Sequence, residues 1–554
     1  MDTRMPWISI GFLVLLCACR PSAQSTHPQD ASKQTGAQVK TTQSTPKPGA
    51  FSRGQLIADA RQLADILESS HPDPYVNGGG RIAFHRRLHR VLNAIPDAGM
   101  TRDEFFRLVR PFIAGVGDAH TGFLGGYEVD RRNPGGIPLR FGVVEESLVV
   151  TGVVSQGHQN LLGARLIAVE GVPLEELAGR QRQLRGIDNR YHCLQVLAEQ
   201  SLRYRPYMRD LLPEWTDAGR VRVELKRPGS SIATAELVPA ATQTSWIAPP
   251  SRVELPVPGD SGFLYAFLKA PASSQEIAYL RFTHMVGYRE TREGREPFLT
   301  KLKRPPSATD AFRSMVTEMK KRRTETLIID VRGNHGGDSL IVDILIYFLY
   351  GKETLLKLQG FGTGESGVFR YSRLYFADRP GQSLAAINAD RWVPLVEGDY
   401  EFGWSFVNGA PIARRCAPVG EPPGFQYLRA SPTFRPEFES GTYGGYYQPK
   451  TVMVLCDAGT ISAGFSAAVS FHRLGAILVG TPSAQAPNSF GAAATWKLKH
   501  TGIEGMVPMI AATHFPDDPE KAHVLPVDVP LTYERLASCG FDPNAEYLLA
   551  LERR

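Results

Sequence analysis

Residues 451–480 read TVMVLCDAGTISAGFSAAVSFHRLGAILVG, and this stretch decides the predicted fold. TVMVL has strand length, CDAGTI has the composition of a turn, SAGFSAAVSFHRL has helical length, and AILVG returns to a strand. The same order occurs earlier, where TLIIDV is followed by RGNHGGD and by the helical SLIVDILIYFLYG. Strands that alternate with helices predict an α/β fold with a largely parallel sheet.

Two turns of this sheet are expected at the carboxyl ends of its strands, where ligands gather in open α/β sheets. The turn at 332–338 can offer the backbone N–H groups of Gly336 and Gly337 with little side-chain obstruction. The second turn places Ser462 at a helix start, where the dipole favours negative charge and the N–H of Ala463 points outward. Together the turns predict a nucleophile and donors for a tetrahedral oxyanion, which acyl transfer requires.

A serine hydroxyl is a poor nucleophile until a base takes its proton. His472 lies on the same predicted helix as Ser462 and is expected to point away, whereas His335 sits inside the glycine turn and could be close. We favour His120, which lies in the glycine-flanked stretch GVGDAHTGFL. Asp118 is expected to orient that loop.

Taken as a set, LIIDVRGNHGG, DAGTISAGFSAA and GVGDAHTGFL resemble the tricorn and C-terminal-processing serine peptidases, and the resemblance spans roughly residues 52–550. It implies a ClpP/crotonase-like α/β catalytic core that hydrolyses peptide bonds through an acyl-enzyme. It also implies Ser462 as the nucleophile and His120 as the base of the tricorn-like branch. By the same resemblance, Gly336, Gly337 and Ala463 supply the oxyanion amides.

The sequence departs from this family pattern in places. The other branch of the family uses a lysine base in the region that here reads SAQAPNSFG, which contains no lysine. A serine commonly precedes the histidine in the tricorn-like branch, whereas Ala119 stands here. The acid that would orient the imidazole is inferred from the neighbourhood of PEKAHVLP, where Glu520 fits best and Asp517 and Asp528 are rivals.

Other interpretations remain open. A serine at a helix start is usually only an N-cap. An ordinary α/β-hydrolase is disfavoured, because Thr460 stands where the GxSxG elbow has glycine. A catalytically inactive peptide- or lipid-binding lipoprotein on the same scaffold is the main alternative function, which Ala119 keeps open. A dinucleotide-binding enzyme would need a GxGxxG after a strand, and the sequence has none. Arg332 and Asn334 are expected to brace the first turn.

Composition excludes several classes of protein. The 554 residues are 42% hydrophobic, with 62 basic residues facing 56 acidic ones for a net charge of +6. The chain has no block of like charges that would suggest a nucleic-acid arm. Neither a CxxC pair nor an HExxH helix appears, so a zinc site is not expected, and no metal or organic cofactor is implied. The predicted partners are peptide or protein substrates and a membrane.

The amino terminus predicts export. Arg4 precedes the apolar stretch MPWISIGFLVLL, which is too short for a permanent membrane span but fits the core of a secretory signal. The following Cys17-Ala18-Cys19 completes a resemblance to the lipobox of bacterial lipoproteins, which implies lipidation of Cys19; a plain cleaved signal is the alternative. Residues 20–51 lack apolar bulk and are expected to be a disordered tether. The protein is therefore expected at the bacterial cell envelope, anchored by lipid and facing the periplasm.

The body divides into three predicted parts. Residues 52–135 form a helical subdomain that carries His120, residues 136–254 a PDZ-like domain with a helical insertion, and residues 255–554 the α/β core. An insertion in the core, 352–450, is expected to form loops or a lid over the site. The spacing of Cys193, Cys416, Cys456 and Cys539 favours no disulfide pairing, and Cys456 is expected to be an inert core thiol.

Overall fold

The structure is a computed structural model. It describes residues 49–127, 135–216, 219–239, 245–259, 262–269, 275–287, 290, 307–354, 366–379, 382–389, 391–403, 428–429, 435–440 and 446–553. The predicted signal, Cys19 and nearly all of the predicted tether lie outside these residues, and so does Cys416. Within them, no helix is both long enough and apolar enough to cross a membrane.

The first part of the body is helical, as predicted. Its elements are α1 (Arg53–Ser70), α2 (Gly80–Ala94), α3 (Arg102–Ala114) and the short strand β1 (Gly122–Gly125). Capping boxes begin α1 at Ser52 and α3 at Thr101, and each box satisfies two N–H groups at the start of its helix. The loop between α3 and β1 carries His120.

The second part is a sheet with a helical insertion. Its elements are β2 (Leu139–Val144), β3 (Ser147–Val153), β4 (Arg165–Val169), β5 (Val172–Pro173), α4 (Leu174–Leu184), α5 (Arg190–Val196), α6 (Arg205–Leu211), β6 (Val221–Lys226) and β7 (Ile232–Leu237). The described strands pair in the order β2-β3-β4-β6-β7, with β5 beside β4. A π-helical segment at Leu197–Ser201 joins α5 to α6. Helices α4, α5 and α6 lie between β5 and β6, and the PDZ-like character of this part stays a prediction.

The third part supplies the remaining elements. They are β8 (Phe263–Lys269), β9 (Glu276–Phe282), α7 (Ala308–Arg322), β10 (Thr326–Asp330), α8 (Leu340–Tyr350), β11 (Ser366–Arg370), α9 (Arg373–Asp378), α10 (Leu384–Asn388), β12 (Tyr400–Gly403), α11 (Arg435–Ser440), β13 (Thr451–Cys456), α12 (Ala463–Arg473), β14 (Ile477–Gly480), β15 (Ser489–Lys497), β16 (Glu504–Thr513), α13 (Pro519–His523), β17 (Val529–Pro530), α14 (Tyr533–Ser538) and α15 (Ala545–Glu552).

The core sheet runs in the order β17-β14-β13-β10-β9-β8. All pairs among the described strands are parallel except β8 with β9, which confirms the α/β prediction. Leu327 and Ile329 point into one apolar cluster with α7, α8 and α12, while Ile328 points into another with α14 and α15. Burial on both faces explains why these strands read as continuous apolar runs.

A second sheet ties the body together. In its described part β1, β16, β11 and β12 pair in that order, and β15 pairs with β16. The prediction of loops for 352–450 is therefore wrong for the described part of that segment, because β11 and β12 extend this sheet. Periodicity misses these strands because each is only four or five residues long. Much of the segment, including 404–427, lies outside the described residues, and a lid there stays a prediction.

Candidate active site

The two predicted turns meet at the carboxyl edge of the core sheet. Asp330 lies opposite Leu455 in the parallel pairing of β10 with β13, so both turns begin side by side. The N–H of Ile461 donates to the Asn334 carbonyl at 2.8 Å, and the N–H of Gly333 donates to Asp457 Oδ1 at 2.8 Å. These bonds fix one turn against the other.

Ser462 does not behave as a helix cap. Its side chain makes no capping bond to α12, and its backbone adopts φ 56° and ψ −124°. A positive φ is rare for a residue with a Cβ and costs roughly 1–3 kcal/mol, so the surroundings must impose it. Strained serines at a sharp strand-to-helix turn present Oγ at the edge of a sheet. The N-cap interpretation is therefore wrong.

Close backbone approach explains why glycines surround the serine. A Cβ at Gly464 would lie 2.7 Å from the Asn334 carbonyl oxygen. A Cβ at Gly336 would lie 2.9 Å from Ser462 Oγ and 3.1 Å from the backbone nitrogen of Ala463. The strain is achieved here without glycine at position 460, because the buried Thr460 hydroxyl donates to the Val331 carbonyl at 2.9 Å and so anchors the turn.

The three predicted oxyanion amides are in different states. Among the described residues, the N–H groups of Gly337 and Ala463 donate to no protein acceptor. The N–H of Gly336 already donates to Asn334 Oδ1 at 2.8 Å, so binding an oxyanion there would require that bond to be shared or broken. Asn334 thus braces the glycine turn, as expected.

Gln485 holds the nucleophile turn from the other side, and the sequence did not indicate it. Its Oε1 accepts the backbone N–H of Ser462 at 2.5 Å, and its Nε2 donates to Ser489 Oγ at 3.3 Å. The side chain is buried, with 8% of its surface exposed. Gln485 lies in the SAQAPNSFG stretch. It is uncharged and belongs to no motif, so the sequence did not indicate that it contacts the nucleophile.

The His120 loop is organised by Asp118, as predicted. One carboxylate oxygen of Asp118 accepts the N–H groups of His120 and Thr121, both at 2.8 Å. The other contacts His71 Nε2 at 3.1 Å, and both of these side chains are buried. Because His71 Nδ1 accepts the N–H of Asp73, Nε2 carries the proton and donates it to Asp118.

The environment of His120 favours a neutral imidazole. Burial lowers its pKa, the charge of Asp118 opposes this, and nearby Arg185 lowers the pKa further, so the result is below the usual 6.5. A neutral ring can accept a proton, which a general base must do. His120 Nδ1 is buried and has no hydrogen-bonding partner among the described protein atoms.

A single carboxylate joins the loop of His120 to the loop of Gln485. Asp188 accepts the N–H of Ala119 at 2.7 Å and the N–H of Ala486 at 3.3 Å. The histidine and serine turns, far apart in sequence, are therefore held in one hydrogen-bonded assembly. Asp188 lies between α4 and α5, outside every motif of the sequence, and was missed for that reason.

The candidate orienting acids are not bonded to His120. Glu520 is exposed on the short helix α13, and Asp517 is also exposed. Asp528 accepts the N–H of Leu478 at 2.8 Å, beside the start of β14. Parallel strands place that start at the opposite edge of the sheet from Ser462, so Asp528 is remote from the serine. The identity of the acid stays a prediction.

The two alternative histidines also have defined places. His472 Nδ1 lies 3.8 Å from Asp528 Oδ2, which confirms that it points away from the nucleophile turn. His335 is exposed within the glycine turn.

Arg332 donates to Asp330 and to Glu546, which confirms its bracing role.

The described cysteines carry no disulfide. Cys193, Cys456 and Cys539 are buried thiols. Burial raises the pKa of Cys456 far above its usual range, as expected for an inert core thiol.

A strained serine lies beside backbone amides that donate to no described acceptor, and Gln485 and Asp188 link it to the loop of a neutral imidazole; this arrangement is compatible with a serine hydrolase. Residues 276–490, which contain both turns, match the family model for peptidase family S41. The match supports assigning the segment with both turns to this peptidase family, and the chain is a serine peptidase.

Two solved structures of mature CPAF share the fold. Mature CPAF in complex with lactacystin is 13% identical, with 90% of this chain and 98% of that chain covered and a TM-score of 0.54. A second structure of mature CPAF is also 13% identical and gives a TM-score of 0.54, with 90% and 96% covered. The photosystem II D1 C-terminal processing protease is 14% identical, covers 88% and 95%, and has a TM-score of 0.40. No curated protein sequence matches the chain significantly.

Proposed function

We propose that this serine peptidase is a lipid-anchored enzyme of the bacterial cell envelope that cleaves peptides or proteins with Ser462 as nucleophile and His120 as base. The observation that carries the proposal is the backbone of Ser462, held at φ 56° by Gln485 and by the Asn334 turn. Strain of this kind persists only when the surroundings enforce it, and it clusters at active sites.

The chemistry follows acyl transfer. Ser462 Oγ forms a bond to the substrate carbonyl carbon while its proton passes to the neutral imidazole of His120. The oxyanion is stabilised by the N–H groups of Gly337 and Ala463, and by Gly336 once its bond to Asn334 is released. The imidazolium protonates the leaving amine, and an acid such as Glu520 stabilises that charge. Water, activated by the same imidazole, then hydrolyses the acyl-enzyme.

A fluorophosphonate probe tests the nucleophile directly. The wild-type protein should be labelled, and Ser462→Ala should not. Ser470→Ala removes another hydroxyl from the same helix and should retain labelling, which makes it the matched control. Equal labelling of wild type and Ser462→Ala, or labelling of neither, would favour an inactive binding protein.

The β2–β7 part is proposed to be a PDZ-like module that takes peptide C-termini. Its small antiparallel sheet, with the described edges at β2 and β7, supports this, because a peptide can add to an exposed sheet edge as an extra strand. Binding of a peptide library to the Ser462→Ala protein, with free and amidated C-termini compared, tests it. Equal binding of both forms would contradict C-terminal recognition.

Envelope anchoring is proposed from the resemblance of residues 16–19 to a lipobox. Expression in a bacterial host with radiolabelled palmitate should lipidate the wild-type chain and place it in the membrane fraction. Cys19→Ser should lose the label, whereas Cys17→Ser should keep it. Recovery of wild type without lipid would overturn the anchor and leave the peptidase untouched.

A further inference from the structure

The loop between α4 and α5 contacts the His120 loop, the segment that carries Gln485 and the end of α13. A Cβ at Gly186 would lie 2.1 Å from the Asp118 carbonyl oxygen, so the loop is pressed against the start of the His120 turn. Asn189 Nδ2 donates to the Ser483 carbonyl at 3.1 Å and to the His523 carbonyl, at the end of α13, at 3.2 Å. Between these two residues lies Asp188.

Each of the two bonds that the Asp188 carboxylate accepts comes from a residue next to one of the proposed mechanism or its support. Ala119, whose N–H it accepts at 2.7 Å, directly precedes His120. Ala486, whose N–H it accepts at 3.3 Å, directly follows Gln485, the residue that holds the N–H of Ser462. A carboxylate can accept both bonds at once because each oxygen takes one of them.

We propose that Asp188 is the positioning residue that holds the His120 loop against the Ser462 loop, and that it does so only as the carboxylate ion. This inference rests on the proposed function. Once protonated, Asp188 has a hydroxyl that donates, and its protonated oxygen becomes a much weaker acceptor. The loop of Ala119 or that of Ala486 is then released, and the His120 imidazole is no longer held in position relative to Ser462.

The groups around Asp188 make this change occur near neutral pH. Burial raises the pKa of Asp188 to about 7, the charge of Asp118 adds to the rise, and the N–H groups of Ala119 and Ala486 oppose it. From α5, His192 faces the loop and accepts the N–H of Asp188 at Nδ1, at 3.4 Å. Burial lowers the pKa of His192 to about 3, with Arg185 and His120 adding to the shift, so His192 stays neutral throughout this range. On the other side of Asp188 lies the segment 483–486, whose Gln485 side chain is uncharged.

The test is the rate of fluorophosphonate labelling of the full-length protein against pH, for wild type and for Asp188→Asn. Asparagine has one acceptor oxygen at every pH and therefore mimics the protonated acid. Above pH 7 the variant should be labelled at least about tenfold more slowly, since small displacements of a base cost that much or more. Below about pH 6 the two rates should converge, because wild type has by then lost the same contact.

Asn189→Ala is the matched control, because it loosens the same loop without removing the carboxylate. Its rate relative to wild type should not depend on pH. A merely structural role for Asp188 predicts a constant ratio for Asp188→Asn as well, and that result would overturn the proposal. If Asp188→Asn fails to fold, the wild type alone decides, because its labelling rate must fall as the pH drops through neutrality, and a rate that stays constant down to about pH 5 would refute the inference. Absence of labelling in wild type at all pH values would instead refute the proposed function.

Discussion

Gly336 packs so tightly against Ser462 that any side chain at position 336 would displace the nucleophile. Its Cβ would lie 2.5 Å from Ser462 Cβ and 2.9 Å from Oγ. Carbon atoms do not approach this closely without a covalent bond, so a Cβ at position 336 would force one of the two backbones to move. The glycine turn and the serine turn therefore form one mechanical unit, although more than a hundred residues separate them.

Gly336→Ala should abolish fluorophosphonate labelling, with a loss of a hundredfold or more, while the protein remains folded. Gly333→Ala is the matched control. Gly333 also has a positive φ, of 65°, but a Cβ there would meet no atom within 4 Å. It should cost about 1 kcal/mol of stability from backbone strain and leave most of the labelling intact. Equal losses in the two variants would show that strain, and not the contact with Ser462, explains the effect.

Gln485→Met should slow labelling by at least about tenfold. Methionine keeps the volume but removes Oε1, so the N–H of Ser462 loses its acceptor and the strained backbone can relax. The lost hydrogen bond should lower stability by only about 1 kcal/mol. Ser489→Ala removes the other partner of the same side chain and should have a much smaller effect. An unchanged rate for Gln485→Met would mean that Gly336 and Asn334 alone hold the turn.

Most of what could be predicted came from residues with a local signature. The strand–turn–helix units, Ser462 and the Asp118–His120 loop all stand in short motifs whose spacing or glycine content reports their conformation. Gln485 and Asp188 have no such signature, because their roles depend on which distant backbone N–H each accepts. The strands β11 and β12 were missed for a related reason: both are too short for an alternating pattern, and they are specified by the pairing of β11 with β16 and of β12 with β11.

Asp118→Asn should destabilise the protein and slow labelling together. The amide can keep one oxygen on the N–H groups of His120 and Thr121, but its NH2 would then face the protonated Nε2 of His71. His71 cannot switch tautomer, because its Nδ1 accepts the N–H of Asp73. Two buried donors without an acceptor should cost about 1–3 kcal/mol.

Asp59→Asn is the control for Asp118→Asn. Asp59 is equally buried and accepts the N–H groups of His500 and Thr501 in another part of the fold. Its substitution should lower stability by a similar amount, measured by urea unfolding, while the folded protein is labelled at the wild-type rate. If both variants lose labelling equally, the loss reflects unfolding and not the position of the His120 loop.

Asp188→Asn should become more stable relative to wild type as the pH rises. The pKa of Asp188 is about 7 in the folded protein against its usual 3.8, so between these values the folded state binds a proton that the unfolded state has lost. The stability contributed by this proton is complete below pH 3.8 and disappears as pH rises through 7. The displacement corresponds to about 4 kcal/mol, since one pKa unit is worth about 1.4 kcal/mol. Urea unfolding of both proteins at pH 5 and at pH 8 measures the part of this change that falls between pH 5 and pH 7, about 3 kcal/mol. If the difference in unfolding free energy between variant and wild type stays constant with pH, Asp188 is ionised throughout. If the difference grows in favour of the variant as the pH rises, the active conformation is maintained at a cost in stability.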